Sequence, residues 1–335
     1  MTRTTPPRPL DVEGLFPELA AHRGTTTRLH PRPGDPGVGD SSVGGPMLWL
    51  ADEPWPVCTA KHKRSRGRRP EDVHHERQLL NAAWERDPVN GPTDEERALL
   101  EELGHRHRVP EVGDTDPLPV IGVAQLYARD LPDLPAGPDG CDLLQVFWCP
   151  FDAHGPHMTG MAVQLLWRRS SEATEATEAT EATGLLMPPP RPQVVGSSGY
   201  VVEPCVLHPE QVVTYPFAGL LPEDLCERIY AREDALDELA EAEAEAEGKE
   251  GAEHDASGSA LPMDCTACAT PMELLLTIDS SEWDGGSASW RPLEDRVPGV
   301  GVSSTPTEAA VGRWGELNVF ACPSDPRHPH RWSIQ

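Results

Sequence analysis

No apolar run in the 335 residues approaches the roughly 20 needed to span a bilayer, so the sequence offers no membrane-spanning helix. The opening Met1-Thr2-Arg3-Thr4-Thr5-Pro6-Pro7 also lacks the apolar core of a secretory signal. A cytoplasmic location is therefore expected, with the eight Cys reduced or metal-bound. Basic charge is scarce as well: 28 Lys and Arg stand against 55 Asp and Glu, a formal net charge of −27. Such a surface repels phosphate, which argues against nucleic acid as a partner. Much of the excess is local, because eleven acidic and two basic residues lie between Arg232 and Asp255, and Glu172, Glu175, Glu178 and Glu181 add four more charges, leaving −14 elsewhere. Gly44-Gly45-Pro46 is followed by nothing with a phosphate-binding spacing, so it reads as a tight turn. The six basic residues among Lys61 to Arg69 have no interleaved aromatics and read as a solvated loop opening an insertion.

What the chain does have is Pro and Gly, 37 and 29 residues, too many for a helical bundle and suited to short strands joined by turns. It also repeats itself. Leu144-Gln145-Val146-Phe147-Trp148-Cys149-Pro150-Phe151-Asp152 through His157 reappears without a gap as Leu317-Asn318-Val319-Phe320-Ala321-Cys322-Pro323-Ser324-Asp325 through His330. Upstream, Pro119 to Leu126 matches Pro271 to Ile278 in pattern, and Cys58-Thr59-Ala60 matches Cys265-Thr266-Ala267. We read an internal duplication, with each half running Cys-Thr-Ala, strand, turn, strand, Cys-Pro, His. The expected class is α+β: antiparallel sheets in two related halves, with inserted helices and disordered acidic inserts.

The expected organisation is an N-terminal segment (1–40), a first β-rich half (41–168) carrying a helical insert (71–107), and a low-complexity linker (169–192). A connecting segment (193–230), an acidic low-complexity insert (231–260) and the second half (261–335) follow. Val12 to His22 has helical spacing; Thr93 with Glu96 three residues on forms a capping box for the second inserted helix. Strands are expected over 118–128, 142–149, 161–168 and 274–278, and at the C-terminal Trp332-Ser333-Ile334. The Glu-Ala-Thr repeats from Glu172 cannot bury apolar surface, and the Glu-Ala tract after Ile229 extends a helix by propensity but lacks an apolar face.

The order of landmarks resembles the YwqG-like family of bacterial proteins, built on a domain of unknown function. The matching residues are Gly44-Gly45, Trp55-Pro56, Ala124-Gln125-Leu126, Leu131-Pro132, Leu144 to Phe147, Leu275 to Asp279 and Trp314-Gly315. Thr277 stands where the family usually has Gln, and the inserts and cysteines are not general to it. The resemblance implies antiparallel sheets in two related halves and supplies no catalytic residues.

Cys265-x-x-Cys268 has the spacing that lets two thiolates of a knuckle face one tetrahedral zinc. Cys322 ends the strand in the same half, with His328 and His330 just beyond; Cys265, Cys268, Cys322 and His330 are the expected ligand set. The first half offers Cys58, His62, Cys149, His154 and His157 in parallel, so two sites related by the duplication are the wider form of this reading. The bland alternative is that Cys149 beside Phe147, and Cys322 beside Phe320, are simply buried thiols. A Cys-Asp-His nucleophile is disfavoured because Cys149, Asp152 and His157 recur as Cys322, Asp325 and His330, and chemistry seldom needs two copies of one site. Asp152 and Asp325 have a cheaper role as turn caps. Asp279, Glu282 and Asp284 read as a solvent-facing turn. Trp49, Trp55, Trp283 and Trp290 lie near loops, where large rings anchor partners. These features favour a non-enzymatic binding protein that holds a protein or peptide, a basic toxin domain being one example. The alternative is an enzyme, zinc-dependent or acting on a small molecule, with its site between the halves near Gln125 and Thr277.

Overall fold

The computed structural model describes residues 2–105, 109–152, 154, 160–171, 189–246 (backbone alone from 237), 263–283, 287–296 and 301–335. His157, Asp284 and most of the two low-complexity inserts lie outside these. The fold is α+β, and among the described residues every strand pair is antiparallel.

After a short helix α1 (Val12–Leu15), Pro17 ends the α-helical path and a 3-10 turn carries the chain to His22, so the expected single helix is two pieces. Strands β1 (Gly24–Arg28), β2 (Arg32–Pro33), β3 (Ser42–Val43) and β4 (Val57–Cys58) follow. Between β3 and β4, Gly44 has a positive φ of 63° and its backbone lies so close to Glu203 that a Cβ would meet the Glu203 carbonyl oxygen at 2.6 Å; only glycine fits this turn. Helices α2 (Pro70–Arg86) and α3 (Asp94–Gly104) form the insert. Pro70 suits the first turn of α2, where no N–H is needed, and the Thr93/Glu96 capping box closes α3. The buried face of α2 places Val73 against Val195 and Val201.

Strands β5 (Leu118–Pro119), β6 (Ile121–Tyr127), β7 (Leu143–Trp148) and β8 (Val163–Arg168) follow, and β9 (Cys205–Val206) and β10 (Glu210–Thr214) lie in the expected connecting segment. Of the strands β1 to β10, six make one sheet in the order β2-β9-β3-β6-β7-β8, while β1 pairs with β10 and β4 with β5. Helix α4 (Glu223–Ala246) is anchored in its first turn by Leu225, which packs with Leu19 and Leu221, and continues into the Glu-Ala tract. The first part of the expected acidic insert is thus helical backbone. Strands β11 (Glu273–Asp279), β12 (Glu316–Ala321) and β13 (Arg331–Ile334) form a three-stranded sheet in that order.

Alternate side chains of β7 point to opposite faces. Leu144, Val146 and Trp148 join a core that also takes Leu317 and Val319 of β12, so the two halves share apolar contacts. Phe147 and Cys149 enter a second core with Trp49, Cys58 and Leu118. The β6-β7-β8 unit and the β11-β12-β13 sheet are paired alike. Ile121 faces Trp148 and Glu273 faces Ala321, with a register shift between Gly122 and Ala124 in one ladder and between Leu274 and Leu276 in the other. Val57 faces Pro119 as Asp264 faces Pro271, and the Val120 N–H donates to Pro56 O as the Met272 N–H donates to Met263 O. Corresponding strands and the short pairs before them therefore bring Cys58 and Cys149, and Cys265 and Cys322, to matching places. The C-terminal strand aligns Arg331–Ile334 with Gln164–Trp167.

Candidate metal centres

Among the described residues, two groups of four side chains each converge so closely that the ligand atoms within each group all lie within 4.8 Å of one another: Cys58, His62, Cys149 and His154, and Cys265, Cys268, Cys322 and His328. Either could hold a metal ion. In the first, His62 Nε2 lies 3.5 Å from Cys58 Sγ and 3.6 Å from Cys149 Sγ, and His154 Nε2 lies 3.9 Å from Cys58 Sγ. In the second, Cys268 Sγ and Cys322 Sγ are 3.5 Å apart, and His328 Nδ1 is 3.6 Å from Cys265 Sγ. A tetrahedral ion with metal–sulfur bonds near 2.3 Å and metal–nitrogen bonds near 2.0 Å separates its ligands by about 3.5–3.8 Å, and the observed spacings fit that geometry.

Strand ends set the positions. Cys58 closes β4, Cys149 follows β7 and Cys322 follows β12, while the tight turn from Cys265 to Thr270 carries Cys268 back toward Cys322. Ala269 has φ 58° in that turn, a left-handed conformation that costs a side chain roughly 1–2 kcal/mol. Backbone N–H groups aim at the sulfurs: Ala267 N donates to Cys265 Sγ at 3.4 Å, and Phe151 and Ser324 donate in the same two-residue relation to Cys149 and Cys322. Such bonds favour thiolates over thiols. The His62 ring also bonds the Asp152 backbone, the kind of outer partner that a metal-ligating imidazole commonly has.

Burial pushes the Cys149 thiol well above its ordinary value and drives His62 down to about 4, with the neighbouring His154 and Arg64 adding to the effect on His62. Burial also lowers His154. Both imidazoles are thus neutral at pH 7, the form that ligates a metal. Cys268 is held below its ordinary value, first by the Thr270 hydroxyl.

Arg64 supplies a separate observation. It is fully buried; Nη2 donates to Cys58 O and Ala60 O, while Nε and Nη1 have no partner among the described residues. The expected solvated basic loop is therefore wrong at its centre. A buried guanidinium needs nearby negative charge, and it lies against the Cys58 backbone, where metal-bound thiolates would supply that charge.

His330, expected as the fourth ligand of the second centre, is not in the cluster. Its Nε2 donates to Val163 O of β8 at 2.8 Å, and His328 takes its place. The turn closed by the bond from His328 N to Asp325 O turns the His328 ring toward Cys265, whereas His330 adjoins β13 and bridges to β8. Of the expected turn caps, Asp325 Oδ1 accepts from Arg327 N at 2.9 Å, and Asp152 instead accepts from the Tyr200 hydroxyl.

The residues expected to bind a partner are dispersed. Trp49 is buried, with Nε1 donating to Glu53 O and the Arg168 guanidinium 4.1 Å from its ring centre; Trp55 Nε1 donates to Val120 O. Gln125 is fully buried, accepting from Leu48 N and donating to Val38 O. Thr277 is exposed on β11 and donates to Asn318 Oδ1. These two occupy equivalent rungs of different ladders. Trp283 is buried near Arg32. Trp290 is partly exposed, beside a groove of about 440 Å³ lined by Arg8, Asp11, Arg23, Val213 and Tyr215. Trp314, 70 % exposed, is the aromatic ring most open to solvent among the described residues. Among the described residues no helix is long and apolar enough to cross a membrane.

The sequence sets His328 beside His330 but led to His330 as the ligand, and it marks Trp314 only as part of the Trp-Gly landmark. A signal for His328 was present in the Cys-to-His spacings, five residues from Cys149 to His154 and six from Cys322 to His328. A scan against protein-family models finds no match to this chain, and a search of the curated proteins finds none either.

Proposed function

We propose that this chain is a two-zinc protein in which each ion closes one half of the fold, and that it works by holding a protein or peptide. One observation carries the metal reading: at each centre four Cys and His donors lie within 4.8 Å of one another, with the closest pairs at 3.5–3.6 Å. Two or three thiolates per ion select zinc over the harder divalent cations. Four protein ligands also fill the coordination sphere, whereas a catalytic zinc keeps one position for water or substrate. The ions are therefore structural, and a zinc-dependent enzyme is the weaker reading.

For the partner, the net charge of −27 favours a basic surface, and the exposed Trp314, with Trp84 at 49 %, gives aromatic anchors. An immunity-type role against a basic toxin domain is the example this profile suits, in the cytoplasm. Kinship with the YwqG-like proteins and descent by duplication are part of the same proposal; the order of motifs and the paired ladders support them.

Elemental analysis of purified full-length protein tests the metal reading, with two zinc ions per chain expected and none overturning it. A pull-down from host extract at low and high salt tests the partner. We expect a basic protein that is lost at high salt and depleted by Trp314→Ala. Recovery of no partner at any salt would overturn the binding reading.

A further inference from the structure

The two centres differ in ways that give them different chemistry. Corresponding positions hold Cys58 and Cys265, His62 and Cys268, Cys149 and Cys322, His154 and His328, so a histidine in the first centre is replaced by a third cysteine in the second. In the first centre both thiols are buried, Cys58 beside His62 and His154, Cys149 beside His62. In the second, Cys268 is exposed, the only exposed cysteine of the eight in the chain. Its sulfur stands 3.5 Å from that of Cys322, which is buried behind it. An oxidant in solvent can therefore reach one thiolate of the second centre, and that thiolate already has a resolving partner about 1.5 Å beyond the length of a disulfide bond.

We propose that Cys268 is a peroxide-modified residue, and that its oxidation joins it to Cys322 and releases the zinc of the second centre while the first keeps its ion. This rests on the two-zinc reading above. The Cys268 thiolate attacks hydrogen peroxide: an S–O bond forms, the O–O bond breaks, and the hydroxide set free takes a proton from solvent and leaves as water. The Cys322 thiolate then attacks the Cys268 sulfur, forming the S–S bond and breaking the S–O bond, and a second hydroxide leaves as water after protonation by solvent. Two electrons pass from the thiolate pair to peroxide. The ion, left with Cys265 and His328 as its protein ligands, dissociates as hydrated Zn²⁺. A thiol reductant with zinc restores the centre.

The contrast has a structural cause. His62 cannot form a disulfide, and the buried sulfurs of the first centre are shielded from solvent; the turn at Ala269 instead presents Cys268 outward. Susceptibility to oxidation follows thiolate character and exposure.

Zinc is counted first, on the untreated full-length protein, and this count tests the two-zinc reading by itself: an untreated chain without zinc overturns that reading and the proposal together. Peroxide is then added in the presence of a chromogenic zinc chelator. We expect one zinc per chain released, on the order of tenfold faster than any second, with peptide mapping showing a Cys268–Cys322 disulfide and with Cys58 and Cys149 still alkylated as free thiols. Cys268→His gives the second centre the donor set of the first, and its zinc should resist peroxide. If that variant does not bind zinc, the disulfide map of the unaltered chain decides. Retention of both ions, release of both at one rate, or a disulfide linking Cys265 to Cys268 overturns the proposal while leaving the two-zinc reading intact.

Discussion

Replacing Cys149 by Ala separates a metal ligand from a buried thiol, because Cys205 offers a matched control. Both side chains are fully buried and reduced. Cys205 lies outside either cluster, and its Sγ donates to Pro306 O at 3.2 Å. Cys205→Ala leaves a small cavity and one carbonyl without its donor, together about 1–2 kcal/mol. If Cys149 were only a packed thiol, Cys149→Ala would cost a similar amount. As a zinc ligand it does more, because three donors hold the ion far less tightly than four, and structural zinc is worth on the order of 10 kcal/mol to folding in small zinc domains. Part of that is recovered by the remaining ligands and by the shared core, so we expect a loss of at least about 3 kcal/mol, a large share of the roughly 5–15 kcal/mol that a domain has. Zinc content should fall from two per chain to one, since the second cluster uses none of the same residues. The assay is urea unfolding followed by Trp fluorescence, with elemental analysis of each variant. Equal costs for Cys149→Ala and Cys205→Ala, at equal zinc content, would refute the metal reading of the first centre.

His328→Ala should remove one zinc per chain, whereas His330→Ala should retain both and lose only the hydrogen bond to Val163 O, about 1 kcal/mol; elemental analysis and a thermal melt distinguish the two. Ala269→Gly relieves the left-handed strain at φ 58° against a smaller entropic cost, so it should raise stability by roughly 0.5–1 kcal/mol, and a lowered melting temperature would count against the turn geometry. Glu203, bonded to His74 and Arg77 at 2.8 and 2.7 Å, is held down at about 2, first by His74. A lowered folded-state value means that its contribution is complete above its ordinary value of 4.5 and is lost as pH falls through about 2. Glu203→Gln should therefore flatten the decline of stability with acid between those values, and an unchanged slope in denaturant titrations across that range would refute the assignment.

The strands that organise the chain were legible because their burial is written in composition: β7 reads Leu-Leu-Gln-Val-Phe-Trp and all six residues are buried. The pairing of β1 with β10 was not, since Thr25, Thr26 and Thr27 carry no apolar alternation and their partners lie about 180 residues away. Two-residue strands such as β4 and β9 leave no period at all to read. The cysteines of the second centre were visible in their spacing, and so were two histidines beyond Cys322, but not which of them joins the cluster. The gapless repeat sets His157 beside His330, while the two Cys-to-His turns differ by one residue and a side chain's direction inside a turn depends on that count.

Charge and polarity misled in a related way. Arg64 belongs to a run that looks solvated, yet the turn after Cys58 points it inward, where its partners are the carbonyls of Cys58 and Ala60. Gln125, conspicuous as a polar residue in an apolar strand, resembles a binding group. In the fold it accepts from Leu48 N, donates to Val38 O and shares Oε1 with Gln145, whose own Nε2 also donates to Leu48 O. The segments around Val38 and Leu48 have backbone groups that no strand pairs, and a buried amide on β6 satisfies them at the cost of one apolar position. A polar residue inside a sheet is thus explained by the loop that crosses it, and what is left for a metal is the set of side chains whose own partners are one another.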